Sequence, residues 1–159
     1  MKSEKKSAKN MSQEVFLNGK IVIYADVREA NSRINSILKK QCDLREKQLA
    51  VADYLLSKRV AVERKTTKDF LRSIMDRRLF LQLNDLKKNF SNPLLVIEGD
   101  PDDLFNSGIN MHPNAIRGAL ASIAVDYGTP IVWTSSPMET AKFMFTPETW
   151  LRTFRRRPQ

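Results

Sequence analysis

Residues 60–70 read VAVERKTTKDF, a stretch that joins the end of a strand to the start of a helix. Apolar and polar side chains alternate over residues 60–65, which predicts a half-buried strand. A period of two puts Glu63 and Lys65 on one face of that strand and Arg64 on the other. With a second carboxylate nearby, this pair is suited to bind a divalent cation and to act on a phosphate.

Asp53, in the stretch just upstream, is the predicted second carboxylate. Residues 49–56 and 60–65 are predicted to form two strands of a hairpin with a short loop. Their pairing places Asp53 near Glu63 or Lys65, provided that the register brings the side chains to one face. The three residues then have the spacing of the PD-(D/E)xK nuclease site, a loose pattern that many unrelated sequences match by chance.

The rest of the chain predicts strands and helices in alternation. Further strands are predicted for residues 20–25, 43–47, 94–98 and 131–134, and the polar content of residues 43–47 indicates a sheet edge. The predicted helices cover residues 31–40, a segment from 66 or 67 to 76, residues 79–90 with a stop at Pro93, a segment from Pro113 to Gly128, residues 137–145 and a last segment from Thr146. This order predicts an α/β domain of three layers, α/β/α, with a central mixed sheet.

Three charged residues follow the first predicted strand: Asp26, Arg28 and Glu29. Open α/β sheets carry their chemistry at this end of the strands. Asp26 is therefore predicted to complete or to support a metal site, and Arg28 to clamp a phosphate. Glu29 has three interpretations: it orients Arg28, assists a metal, or is a solvated glutamate that the helix dipole favours.

The helix after Lys65 carries Asp69 and Arg72. Arg72 falls on its polar face and is predicted to contact phosphate. Asp69 lies three residues after Thr66 and can form a capping box with it. A contact with the metal or its water shell is the alternative that its resemblance to a nuclease motif implies. Arg64 faces away from Glu63 and Lys65, so a salt bridge or a DNA contact is predicted for it rather than direct chemistry.

Composition limits the class of protein. A chain of 159 residues with 42% hydrophobic residues predicts one globular domain. Its single cysteine, Cys42, excludes an internal disulfide and a cysteine zinc cluster, and favours an intracellular compartment. We find no apolar run near the roughly 18 residues of a membrane span and no secretory signal at the start, which predicts a soluble protein without a membrane partner.

Positive charge is concentrated at the two ends of the chain. The net charge is +9, and residues 1–10 carry four lysines while residues 152–159 carry four arginines. Basic ends suit sequence-independent phosphate contacts, although a solvated tail accounts for the N-terminal lysines as well. We predict basic tails at residues 1–14 and 155–159 around a domain at residues 15–154.

Five segments in one order resemble the nuclease domain of the XPF/Hef family of structure-specific DNA endonucleases, most closely its archaeal Hef-like members. The segments are YADVRE at 24–29, VADYLLS at 51–57, VAVERKTTKDF at 60–70, SIMDRRLF at 73–80 and HPNAIRGALA at 112–121. The family signature is GD, a variable gap, ERK, three residues and D. The chain matches it except that Ala52 replaces the glycine before Asp53, and Arg77 stands where a small residue is expected.

The resemblance implies a restriction-endonuclease-like fold and cleavage of one strand of branched DNA, such as a flap, fork or splayed arm, in DNA repair or stalled-fork processing. In that interpretation Asp53 and Glu63 ligate Mg²⁺ or Mn²⁺, with the Arg64 carbonyl as a further candidate ligand. Lys65 orients the attacking water or stabilises the developing charge. The alternative is a catalytically silent DNA-binding or scaffolding subunit of a nuclease heterodimer, against which the retained Asp53, Glu63 and Lys65 argue.

The C-terminal third carries many apolar side chains that a two-fold dimer interface would bury, and the domain core is the alternative location for Met144 and Phe145. The apolar side chains are Met138, Phe143, Met144, Phe145, Trp150, Leu151 and Phe154. Because members of the resembled family act as dimers, a homodimer, or a heterodimer with a related subunit, is expected. The expected location is the cytoplasm of an archaeon or the nucleus of a eukaryote.

Overall fold

The computed structural model describes residues 21–146. Six strands in this range form one sheet, and they are β1 Val22–Asp26, β2 Asp43–Lys47, β3 Tyr54–Leu55, β4 Val60–Thr66, β5 Asn92–Glu98 and β6 Ile131–Thr134. The order across the sheet is β2-β1-β3-β4-β5-β6. β3 runs antiparallel to its neighbours β1 and β4, and the other pairs are parallel. The sheet is therefore mixed, with β2 at an edge, both as predicted.

Helices cover both faces of this sheet. They are α1 Arg33–Gln41, α2 Thr67–Met75, α3 Arg78–Asn89, the short α4 Asp103–Asn106, α5 Pro113–Val125 and α6 Pro137–Phe145, and a 3-10 turn at Val27–Glu29 follows β1. One apolar cluster joins α1 and α6 to the sheet, and a second joins α2, α3 and α5 to the opposite face. This arrangement confirms the predicted three-layer α/β/α class.

Side-chain caps set where several helices begin. The hydroxyl groups of Ser32, Thr66 and Ser136 each accept a hydrogen bond from a backbone N–H in the first turn of α1, α2 and α6. His112 caps α5 through Nδ1, and Pro113 occupies the first turn of that helix. Among residues 21–146, no helix has both the length and the apolar composition needed to cross a membrane.

The predicted strand at residues 49–56 is wrong in length, because only Tyr54–Leu55 are in strand conformation. Ala52 interrupts the extended backbone with a φ of 79°, in the left-handed region. Leu49 and Val51 still pack against the core from a loop. The hairpin partner of β4 is thus a two-residue strand preceded by a turn.

Pro93 has a different place from the one predicted. The helix α3 ends at Asn89, and Pro93 lies within β5. Leu95 is the first residue of β5 that pairs with β6, so a missing N–H at Pro93 removes no bond to that strand. β5 therefore begins two residues before the predicted strand.

The apolar residues proposed for a dimer interface fall into separate classes. Met144 is fully buried in the core beneath α6, whereas Met138 is 42% exposed. Phe143 and Phe145 are partly buried against the same cluster. For Met144 the core interpretation is therefore correct. Trp150, Leu151 and Phe154 lie outside the described residues, as do the predicted tails and the helix predicted from Thr146.

Candidate active site

The carboxyl ends of β1 and β4 bring the predicted site residues to one edge of the sheet. Asp26 is the last residue of β1, and Glu63 and Lys65 lie near the end of β4. Asp53 directly precedes β3, the strand between them. The short β3 thus places a third carboxylate-bearing segment between the two longer strands.

Asp53 is held beside Glu63 through both its backbone and its side chain. Its N–H donates to the carbonyl of Val62 at 3.0 Å, and its Oδ2 accepts from the N–H of Arg64 at 2.9 Å. The Asp53 carbonyl in turn accepts from the N–H of Asp26 at 2.8 Å. These bonds fix Asp53 against the residues on either side of Glu63, where the hairpin prediction placed it.

Glu63 and Lys65 form a buried pair on this face of β4. Each is 7% exposed, and Lys65 Nζ donates to Glu63 Oε1 at 3.3 Å. Burial and the nearby Asp53 carboxylate raise the pKa of Glu63 to about 7, although Lys65 acts in the opposite direction. Burial also raises the pKa of Asp53. Two carboxylates therefore share one ammonium group in a poorly solvated place.

Asp26 is buried, and protein donors occupy both of its oxygens. Oδ1 accepts from the N–H and the Nε of Arg28 at 2.9 and 2.6 Å, and Oδ2 accepts from the N–H of Leu49 at 2.8 Å. Burial alone raises the pKa of Asp26, but these hydrogen bonds from Arg28 and Leu49 outweigh it and hold the pKa below its usual value. The contacts favour the supporting role of the two that the sequence left open for Asp26.

The oxygen donors at this site determine which metal ion it can hold. Residues 21–146 contain no group of three or more Asp, Glu, His or Cys side chains arranged around one point. Asp53 Oδ1 and Glu63 Oε2 are nevertheless two hard oxygens that accept no hydrogen bond from the described residues. Mg²⁺ commonly binds through one or two carboxylates and keeps several waters, and Mn²⁺ prefers the same oxygen donors. The pair therefore fits a partly hydrated Mg²⁺ or Mn²⁺.

Asp69 takes part in capping α2 together with Thr66. Its N–H donates to Thr66 Oγ1 at 3.2 Å, and Thr66 Oγ1 donates to Asp69 Oδ2 at 2.9 Å. Asp69 also forms an ion pair with Arg72, at 3.8 Å. Both Asp69 and Arg72 are exposed on α2, so Arg72 remains accessible to a ligand in solution.

Arg64 and Glu29 have partners on the other face of the sheet. Arg64 forms the predicted salt bridge, with Glu98 at the end of β5. Glu29 is partly buried, and its Oε2 accepts from the hydroxyl of Tyr54 at 3.4 Å, a contact that none of its three interpretations foresaw. Burial, followed by the charge of Asp53, raises the pKa of Glu29.

Glu98 is the residue that sequence reasoning missed. A signal for it exists, because LLVIE at 94–98 ends a buried strand on a carboxylate in the same way as the strand that ends at Asp26. Its partner Arg64 lies 34 positions away in the chain. No local pattern identifies that pairing.

Both departures from the resembled signature fall where φ is positive. In residues 21–146, the non-glycine residues with positive φ are Ala52, at 79°, and Arg77, at 59°. Ala52 precedes Asp53, and Arg77 precedes the first residue of α3. Side chains with a Cβ are strained in this region. The backbone at these two positions is the one that glycine adopts without cost.

Comparisons with known proteins identify relatives of this chain. The family model described as the ERCC4 domain matches residues 25–146. Protein MJ1505 of Methanocaldococcus jannaschii, named for an ATP-dependent RNA helicase activity, is 44% identical over 124 residues, which cover 78% of this chain and 15% of that protein. The 3'-flap repair endonuclease Xpf of Saccharolobus solfataricus is 37% identical over 125 residues, which cover 78% of this chain and 53% of that protein.

A solved structure has the same fold. XPF from Aeropyrum pernix, in a complex with DNA, superposes with a TM-score of 0.74 at 30% identity, over 87% of this chain and 68% of that one. The chain described here therefore corresponds to a small part of one curated relative and to about half of the other.

Proposed function

The chain belongs to the XPF/Hef family of nucleases that carry an ERCC4 domain, and from this membership we propose that it is a structure-specific DNA endonuclease that uses a divalent metal ion. The proposed reaction is hydrolysis of one strand of branched DNA, in repair or in the processing of stalled forks. One observation carries the proposal: Asp53 and Glu63 lie side by side in the sheet with Lys65 bonded to Glu63.

Asp53 and Glu63 are the residues proposed to hold Mg²⁺ or Mn²⁺, with the Arg64 carbonyl as a further ligand. When bound, such an ion neutralises charge on the phosphate and makes water more acidic. Asp26 supports the site through Arg28 and Leu49, whose hydrogen bonds it already accepts. Its own carboxylate is not needed as a ligand in this scheme.

Lys65 is proposed to orient the attacking water or to donate to the phosphate oxygens as charge develops on them. Its hydrogen bond to Glu63 Oε1 keeps the ammonium group at the site. Arg28 is 70% exposed although its Nε is bound to Asp26, so its terminal nitrogens face solvent and suit a DNA phosphate. Arg72 is the second proposed phosphate contact.

We propose flaps, forks and splayed arms as substrates. The Saccharolobus relative carries 3'-flap repair in its name, and the Aeropyrum structure contains DNA. Phosphate contacts through Arg28 and Arg72 position a substrate without reading its bases, so the preference is proposed to depend on the shape and flexibility of the junction.

Assembly and location are part of the same proposal. A homodimer, or a heterodimer with a related subunit, would cover exposed apolar side chains such as Met138. Because the proposed substrate is cellular DNA, the proposed location is intracellular. The charged ends at residues 1–14 and 155–159 are proposed as phosphate-binding tails around the nuclease domain.

The test is a cleavage time course on a labelled fork and on a linear duplex of the same sequence, with Mg²⁺, Mn²⁺ or EDTA. Wild type is expected to cut one strand of the fork near the branch only when metal is present, and Asp53→Asn is expected to abolish cutting. Asp43→Asn is the matched control, because Asp43 is the first residue of β2 and lies at the opposite end of the strands from the site. Fork binding without cutting by wild type would indicate the silent-subunit alternative instead.

A further inference from the structure

The face of β4 opposite the proposed metal site carries a closed polar network. Arg64 Nε and Nη2 donate to Glu98 Oε2 and Oε1 at 3.1 and 2.6 Å. Glu98 is buried at the end of β5, the strand next to β4. A two-point contact between guanidinium and carboxylate fixes the orientation of both groups. The Arg64 side chain is thereby tied to the neighbouring strand.

Helix α6 completes this network. Thr140 Oγ1 donates to Glu98 Oε2 at 2.6 Å and lies 2.6 Å from Thr134 Oγ1. A hydroxyl group has one hydrogen, and the shorter contact assigns that of Thr140 to Glu98 rather than to the Ser136 carbonyl at 3.1 Å. The Thr134 hydroxyl then donates to Thr140. Glu98, Thr134 and Thr140 are all buried, and both carboxylate oxygens of Glu98 have partners.

The network reaches the metal side of the sheet through the backbone of Arg64. The N–H of Arg64 donates to Asp53 Oδ2 at 2.9 Å, while Glu98 holds the guanidinium group of the same residue. The bond occupies Oδ2 and leaves Asp53 Oδ1 available to a cation. A shift of the Arg64 backbone would therefore change the orientation of the Asp53 carboxylate.

We propose that Glu98 is a positioning residue for the metal site, which acts through Arg64 on Asp53, and that Thr140 orients Glu98. This inference rests on the proposed function, because the orientation of Asp53 matters only if Asp53 binds a cation. Groups that hold a ligand in place raise metal affinity, since a loosely held ligand must be ordered when the ion binds. Neither Glu98 nor Thr140 belongs to the signature that carries the family resemblance.

The test measures Mn²⁺ binding to the whole chain without DNA, from the electron paramagnetic resonance signal of free Mn²⁺. Glu98→Gln keeps the side-chain shape and removes the charge that holds Arg64, and it is expected to raise the Mn²⁺ dissociation constant about tenfold. Thr140→Val keeps the ion pair and is expected to give a smaller increase. Glu46→Gln is the matched control, because Glu46 lies on the edge strand β2 and forms an exposed ion pair with Lys39 of α1. Its loss is expected to leave the Mn²⁺ dissociation constant unchanged.

All variants are measured at a temperature at which circular dichroism shows them folded, so that a purely stabilising role of Glu98 leaves the constant unchanged. Cleavage by Glu98→Gln is expected to recover at saturating Mn²⁺, because the substitution acts on affinity. If Glu98→Gln does not fold, the increase for Thr140→Val decides.

Failure of this inference and failure of the proposed function give different Mn²⁺ binding results. Equal dissociation constants for wild type, Glu98→Gln and Thr140→Val, with binding lost in Asp53→Asn, would overturn the inference and leave the metal site in place. Absence of Mn²⁺ binding by wild type would overturn the proposed function and this inference together.

Discussion

Both faces of β4 have a carboxylate beside a basic side chain, but within residues 21–146 both oxygens of the partner of Arg64 are hydrogen-bonded, whereas those of the carboxylates beside Lys65 are only partly so. On one face Arg64 is paired with Glu98, and both oxygens of that carboxylate have partners. On the other face Lys65 is the ammonium group that Asp53 and Glu63 share, and each of these carboxylates keeps one oxygen without a hydrogen bond from residues 21–146.

This difference separates a charge pair that needs no ligand to be satisfied from charges that are available to one. The Arg64–Glu98 pair is closed, so the folded chain alone satisfies it. The buried carboxylate of Glu63 and the partly buried one of Asp53 are not fully paired in this way, and burying an incompletely paired charge costs free energy. The open face, which carries Asp53, Glu63 and Lys65, is therefore the one where a cation is expected. The face that carries Arg64 and Glu98 is the closed face.

The largest effect is expected for the ammonium group of the open face. Lys65→Met keeps the length of the side chain and removes its charge, and it is expected to slow cleavage of a fork by about a hundred- to a thousandfold, as for other groups that stabilise developing charge. Single-turnover cleavage measures this rate. Lys39→Met, on the exposed side of α1, is the control that should cut at the wild-type rate, and a Lys65→Met rate near wild type would remove Lys65 from the chemistry.

Breaking the closed face is expected to cost stability. Glu98→Gln leaves the Arg64 guanidinium group, which is mostly buried, without its counter-charge, and the free energy of unfolding of the metal-free protein should fall by about 3 kcal/mol. Urea unfolding followed by circular dichroism measures the change. A loss as small as that from Glu46→Gln, at an exposed pair, would show that the closed face does not stabilise the fold.

Removing a carboxylate charge from the open face is expected to raise the free energy of unfolding, whereas removing one from the closed face lowers it. The pKa of Glu63 is raised from 4.5 to about 7, so the metal-free wild type loses stability as pH rises through this interval. Glu63→Gln lacks that ionisation, and at pH 8 it should be more stable than wild type by about 2 kcal/mol. Unfolding in EDTA at pH 5 and pH 8 measures both differences, and an advantage that did not grow between these pH values would contradict the assigned cause.

The smallest effect concerns the backbone that borders the open face. Ala52→Gly relieves a positive φ but adds freedom to the unfolded chain and removes a methyl group from the core, and the net change is expected to lie within about 0.5 kcal/mol of zero. Thermal unfolding measures it. Ala119→Gly, in the interior of α5, is the control and should be destabilising. A loss at Ala52 as large as that at Ala119 would show that the left-handed backbone there is not strained.

The parts of the fold that depend on local pattern were predictable from the sequence. Alternation over 60–65 predicted β4, and capping residues such as Ser136 predicted where helices begin. The hairpin prediction also brought Asp53 to Glu63. These features depend on neighbours in the chain, which is why periodicity and turn residues identify them.

Features that depend on distant contacts were not predictable in this way. β3 is short because Ala52 adopts a conformation that its own side chain disfavours and the surrounding fold imposes. Glu98 meets Arg64 only because a parallel crossover places β5 beside β4. The three donors that occupy Asp26 include a loop N–H from Leu49, which no pattern around Asp26 reveals.

The central claim is that Asp53 and Glu63 together hold a divalent cation, and anomalous diffraction from crystals soaked in Mn²⁺ tests it most directly. The predicted result is a manganese peak about 2–2.5 Å from a carboxylate oxygen of each residue, which disappears in Asp53→Asn. A peak elsewhere, or none at saturating Mn²⁺ in crystals that diffract well, would contradict the claim.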